Sequence, residues 1–113
     1  MIIQKKEIAT IVTQEESDGR QDDFRIQFKS VYKDLINQNI IIDLSGLKRV
    51  ILKDILEFSE ISDIHKAQSN KSFVMSVGKQ VQFALPESII CVPTLQEALD
   101  MVEMEEIERD LGF

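Results

Sequence analysis

The sequence predicts an α/β domain built on a mixed sheet of about five strands, and three observations lead there. "IIIDL" (40–44), "FVMSV" (73–77) and "SIICVP" (88–93) are short apolar runs without alternation, as strands covered on both faces require. The segments between and after them carry apolar residues at spacings of three and four, the period of an amphipathic helix. Strands that alternate with helices in this way are joined as parallel neighbours by right-handed crossovers.

Taken in order, "IIQKK" and "IATIVT" (8–13) are rich in β-branched residues and predict two extended segments, separated from the first helix by the polar turn "QEESDGR" with Gly19 as its breaker. From Asp22 the period changes. Phe24, Phe28, Val31 and Leu35 fall on one helical face with Ile36 beside them, while Arg25, Lys29 and Lys33 turn outward, and the helix is expected to end around residues 37–39. After "IIIDL" and the turn "SGLKR", a second helix places Ile51, Ile55, Phe58, Ser62 and His65 on its inner face, widened by Leu52, Leu56 and Ile61. "FVMSV" is the next buried strand, punctuated by Gly78. "KQVQFALPES" (79–88) is a short helix or irregular chain. "SIICVP" is a third buried strand stopped by Pro93, and "TLQE" (94–97) fits a capping box that opens a final helix of about residues 95–111, with Leu95, Ala98, Leu99 and Val102 inward and Gly112 ending it. The predicted order is β-β-α-β-α-β-(short element)-β-α, in one domain covering residues 1–113.

Composition narrows the function classes. A chain of 113 residues with 43% hydrophobic and 29% charged residues is an ordinary globular domain that needs no staples. No apolar run approaches the roughly 18–20 residues that span a bilayer, and Lys5 and Lys6 interrupt any signal-peptide core; a cytoplasmic protein is expected. The lone Cys91 agrees with a reducing compartment. Thirteen basic against twenty acidic residues leave a net charge of −7, which repels phosphate backbones and anionic membranes, so neither nucleic acid nor membrane is an expected ligand. Residues 100–110 hold six acidic side chains and one arginine, a solvated helix face or an acidic docking surface.

Catalytic motifs are missing. Four scattered glycines form neither a phosphate-cradling loop nor a dinucleotide fingerprint. One histidine and one cysteine, far apart, cannot supply a metal-ligand cluster, so no metal or other cofactor is expected. His65 reads as a helix C-terminal or core-edge histidine, the alternative being a ligand or base; Cys91, inside "IICV", reads as a small buried hydrophobe. Asp43, at the carboxyl end of a central strand, is placed where ligands of open α/β sheets collect. The receiver-type phosphoacceptor also needs an acidic pair on an earlier strand, which is missing, and Asp43 reads instead as a turn-former holding backbone N–H groups of "SGL".

The element order, with "NIIIDLSGLKRVI" at its centre, resembles the STAS domain, the sulfate transporter and anti-sigma-factor antagonist fold. In that family a strand ending in a comparable aspartate pattern leads to a "D-S-S-G" sequence at the next helix, whose second serine is phosphorylated by a partner kinase, abolishing binding to that partner. With Asp43 on the family aspartate, these positions fall on Ile51, Leu52, Lys53 and Asp54. The phosphoserine position is therefore Lys53, and no serine or threonine lies between Ser45 and Ser59. The resemblance implies a non-catalytic regulatory module that binds a protein partner through Asp43, Ser45, Gly46, Lys48, Arg49, Lys53 and Asp54 and lacks the family's switch. The closing stretch "VPTLQEALDMVEMEEIERDLGF" is similar to that of small bacterial STAS-like proteins often labelled ribonuclease Z. That zinc enzyme needs an H-x-H-x-D-H ligand set, which a chain whose one histidine is His65 cannot supply. A homodimer or larger assembly, built through the first strands or the acidic helix, is the remaining expectation.

Overall fold

The computed structural model describes residues 1–19, 21–79 and 85–112. Its centre is a five-stranded mixed sheet in the order β1-β2-β3-β4-β5: β1 (Ile2–Lys5), β2 (Thr10–Thr13), β3 (Ile40–Asp43), β4 (Phe73–Ser76) and β5 (Ile90–Val92). β1 and β2 form an antiparallel hairpin, and β2 through β5 are parallel neighbours. Helices α1 (Gln21–Val31), α2 (Leu52–Leu56) and α3 (Ser59–Ile64) lie in the crossovers, and α4 (Leu95–Asp110) closes the chain. The α/β class and the five mixed strands agree with the sequence expectation.

Strand periodicity divides the core. Val12, Ile40, Ile42, Leu44, Phe73, Met75 and Val77 project to one side, where they meet Phe24 and Phe28 of α1 and Ile55, Phe58 and Ile61 of the α2–α3 segment. Phe58 is the hub of this side, with ring centroids 6.2 Å from Phe24, 6.1 Å from Phe28 and 6.5 Å from Phe73, in tilted and edge-on arrangements that suit aromatic quadrupoles. On the other side Ala9, Ile11, Ile41 and Val74 are covered by Ala98 and Val102 of α4.

Several local expectations are corrected. The first helix stops at Val31 and continues only as a 3-10 turn, Tyr32–Asp34, so Ile36 lies outside it and is exposed. The second helix is two short ones. Glu57 and Phe58 interrupt it, Glu57 being held by Arg25 at 2.9 Å and Phe58 fully buried, yet the helical period carries on across the break. Ile55, Phe58, Ser62 and His65 keep the inner face, whereas Ile51 and Leu56 are 40% and 37% exposed. A π-helical turn, His65–Ser69, comes next and ends on Asn70 in the left-handed region, a conformation that asparagine tolerates. β5 is half-buried rather than buried, because an edge strand has a neighbour on one flank only. Residues 80–84 of the ambiguous "KQVQFALPES" lie outside the described residues.

The final helix matches its signature. The Glu97 N–H donates to Thr94 Oγ1 at 3.1 Å, and the Thr94 N–H donates to Glu97 Oε2 at 3.1 Å. At the other end Gly112 has φ of +79°, and its N–H donates to the Arg109 carbonyl.

The helical period gives two nearby side chains opposite roles. Phe58→Ala is expected to cost about 3–5 kcal/mol by removing the hub ring, whereas Leu56→Ala is expected to change stability by about 0.5 kcal/mol or less. Urea unfolding of the two variants measures both, and equal losses would contradict the placement of Phe58 inside and Leu56 outside.

Candidate functional site

The carboxyl end of β3 is a sharp exit because Asp43 holds it. Asp43 Oδ1 accepts the Ser45 backbone N–H at 3.0 Å, the Ser45 hydroxyl at 2.5 Å and the Ser76 hydroxyl at 2.8 Å. The last of these crosses to β4, where Ser76 is the register partner of Asp43. One carboxylate thus forms the turn and ties two strand ends, as the turn-former reading anticipates. The Leu47 N–H closes the same loop on the Leu44 carbonyl, and the Lys48 N–H donates to Glu16 Oε1 at 2.5 Å.

Beyond this turn is a cavity of about 330 Å³ lined by Ser45, Leu47, Lys48, Val50, Val77, Gly78 and Lys79. Gly78 has φ of +95°, so its backbone conformation disfavours any larger residue, and its N–H donates to the Pro93 carbonyl. Of the residues singled out in the sequence, Asp43, Ser45 and Lys48 are therefore brought together. Gly46 and Arg49 are exposed on the same loop. Lys53 and Asp54 stand apart in the first turn of α2. Lys53 is 75% exposed with its Nζ 3.9 Å from Glu57, and Asp54 accepts the Ile51 N–H at 3.3 Å. The carboxylate of Asp54 supplies the anion that a helix start favours and Lys53 does not. Lys79, which lines the cavity, and the exposed Ile51 and Leu56 were not among the expected site residues; Ile51 precedes α2 in extended backbone and Leu56 lies off its inner face.

His65 is elsewhere and fully buried. Its Nε2 lies 2.8 Å from the Gln38 carbonyl, which only accepts, so Nε2 carries the proton and bare Nδ1 accepts the Tyr32 hydroxyl at 2.7 Å. Phe73 packs edge-on against the ring. Both nitrogens are therefore occupied, joining the 3-10 turn after α1, the approach to β3 and the π-helical turn. Burial lowers the His65 pKa, opposed by the Gln38 carbonyl and reinforced by the charge of Lys71. The Cys91 thiol is half-buried and pushed up to about 12 by burial, far from a reactive thiolate. Among the described residues no group of three or more His, Cys, Asp or Glu side chains is placed to hold a metal ion, and no helix is long and apolar enough to cross a membrane.

A second polar centre, at the opposite end of the sheet, was not foreseen. Asn39 Nδ2 donates to the Ile8 carbonyl at 2.9 Å and to Glu106 Oε1 at 2.7 Å, while its Oδ1 accepts the Ser72 N–H at 2.8 Å and Arg109 at 3.1 Å. Arg109 also donates to Glu106 and to the Ser72 hydroxyl. Hydrogen bonds from Asn39 and Arg109 hold the Glu106 carboxyl below its usual range. Two members of the acidic stretch are thus drawn into the fold, and the sequence signal for it was no more than Asn39 just before a buried strand.

These features define an α/β protein with a five-stranded mixed sheet and a polar centre at each end of β3. No protein-family model matches the chain, and no curated protein matches it significantly.

The buried imidazole makes stability depend on pH with a definite sign. The unfolded chain takes a proton near pH 6.5, whereas the folded chain does so only at lower pH. Stability is therefore complete above about 6.5 and falls as pH drops from there toward the folded pKa, before most carboxylates titrate. His65 is the one histidine of the chain. Thermal melts between about pH 7.5 and 5 are expected to show this fall, and His65→Gln, though less stable, is expected to show a much flatter profile over the same range; an unchanged slope would contradict the assignment.

Proposed function

We propose that this chain is a STAS-like regulatory interaction module, non-catalytic, that docks a protein partner through the loop after β3 and the first turns of α2. The sheet order supports the kinship, with an antiparallel opening hairpin followed by sequential parallel strands joined by helices. The observation that carries the reading is the composition of one end of a protein whose net charge is −7: Lys48, Arg49, Lys53 and Lys79 are exposed there beside the exposed apolar residues Ile51 and Leu56. Apolar side chains among four exposed cations, with Asp54, Glu57 and Glu16 as the acids between them, suit a partner surface with an apolar centre and a mainly acidic rim.

At the position where the STAS family keeps its phosphorylated serine, Lys53 extends into solvent. The surface therefore lacks that family's means of release. The hydrolase reading has less support, since His65 has both ring nitrogens engaged inside the core and Cys91 is a poor thiolate.

The test is capture of partners from native lysate by tagged protein, with Ile51→Asp/Leu56→Asp and Lys48→Glu/Arg49→Glu compared with the unaltered chain. Both double variants replace exposed residues and are expected to stay folded while losing the specific partner, by about tenfold or more in affinity. A partner that both variants retain in full would refute the assigned surface. Stoichiometric zinc with processing of tRNA 3′ ends that copurifies through every step would refute the non-catalytic reading.

A further inference from the structure

β1 is the outer strand of the sheet, and all four of its residues are exposed. One flank of its backbone therefore presents N–H and C=O groups that no strand among the described residues pairs, the usual template for another strand. Ile2 and Ile3 are each 39% exposed and, by alternation, project to opposite faces, Ile3 beside Val12 and Ile2 beside Thr13. The far edge is less open: β5 has three half-buried residues and is followed at once by Pro93.

Charge along this edge is polarised. Lys5 ends β1, with Lys6 and then Glu7 exposed just after it. At the other end the register places Met1 beside Gln14, so the exposed carboxylates of Glu15 and Glu16 come immediately after, and Asp18 meets the Met1 amino group. Lysines on an edge strand usually discourage pairing. Here that depends on direction. A parallel neighbour of the same sequence brings lysine to lysine, whereas an antiparallel neighbour related by a two-fold axis at Ile3 sets the two Lys5 residues four positions, or about 14 Å, apart along the strands, beyond the Debye length. The same operation sets each Lys5 opposite the other copy's Met1, whose amino group Asp18 already engages, and brings Lys5 and Lys6 toward that copy's Glu15 and Glu16.

We propose that two copies of this chain associate through β1, edge to edge and antiparallel about a two-fold axis at Ile3, continuing one sheet across both copies. The interface is isologous, as closed dimers require. Four residues per strand make a small contact, so the dimer is a weak and exchanging one that dissociates on dilution and with added salt. The loop after β3 meets this edge only where the Lys48 N–H bonds Glu16, so Ile51→Asp/Leu56→Asp reads the proposed partner surface and Ile3→Cys reads the dimer, each without touching the other.

Sedimentation velocity on the full chain from about 5 to about 500 µM, at low and high salt, is expected to show a mass that rises toward twice the monomer and falls back with salt. Lys5→Glu/Lys6→Glu is expected to weaken association about tenfold, Glu15→Lys to weaken it as well, and an equimolar mixture of these two variants to recover a heterodimer. Geometry provides an independent readout. Directly opposed residues of antiparallel strands have Cα atoms about 4.5–5.5 Å apart, within disulfide reach, so Ile3→Cys is expected to form a covalent dimer with oxidised glutathione while Ile26→Cys, exposed on α1, is not. A monomer over the whole range, or a dimer that neither cross-links at Ile3→Cys nor responds to the lysine reversal, would overturn the proposal.

Discussion

The pairing of β3 on both flanks is the constraint around which the molecule is arranged. This strand runs in parallel register with β2 on one side and β4 on the other, and all four of its side chains are buried. An apolar strand in that position has no water for its backbone, so every N–H and C=O must find a strand, a side chain or a turn. The two ends are where pairing runs out, and a polar residue stands at each. Asn39 gathers the Ile8 carbonyl, the Ser72 N–H, Glu106 and Arg109 at the start; Asp43 gathers Ser45 and Ser76 at the finish. Three isoleucines provide the apolar middle, and two short polar side chains locate its limits. The candidate site owes its position to the second of these, because the turn that Asp43 closes is what delivers Lys48 and the start of α2 to the carboxyl edge.

The two faces of the sheet are covered unequally. On one, three helical segments bring phenylalanines from α1 and from the residue between α2 and α3 against Phe73, with His65 at the margin of the ring cluster. On the other, α4 contributes two small buried side chains, Ala98 and Val102, and its half-buried neighbours. Small residues let that helix lie close to the strands, and Arg109 and Glu106 then tie its last turns to the start of β3 and β4. The acidic stretch is accordingly part solvated face and part structural tie, a division that its charge count does not foretell.

Most of the strand pattern was legible in sequence, since a continuous apolar run bounded by turn residues has few alternatives and "IIIDL" and "FVMSV" fall within a residue of β3 and β4. The Thr94–Glu97 cap was legible for the same reason, being a local exchange of hydrogen bonds that needs no distant partner. The faces of the second helix were less so. A single 3.6-residue period placed Ile51 and Leu56 inside, but Ile51 stands in extended backbone before the helix and Leu56 lies off the inner face that Ile55 and Phe58 keep, so both emerge into solvent. His65 was expected at the core margin; its burial needs Tyr32 and the Gln38 carbonyl, 33 and 27 residues earlier in the chain.

Local order is written in the chain itself: where strands and helices form, where the last helix starts and stops, and the scarcity of residues for phosphate-loop or metal chemistry. These depend on side-chain period, capping chemistry and residue count, all readable over a few positions. Which polar residues meet is settled only once the sheet and helices are assembled. Ser76 reaches Asp43, Arg109 reaches Asn39, and Glu57 reaches Arg25 across intervals that carry no local signal. The same holds for the open edge at β1, because an edge is a property of the complete sheet: any strand pairs on two flanks, and only its neighbours determine which flank is left without one.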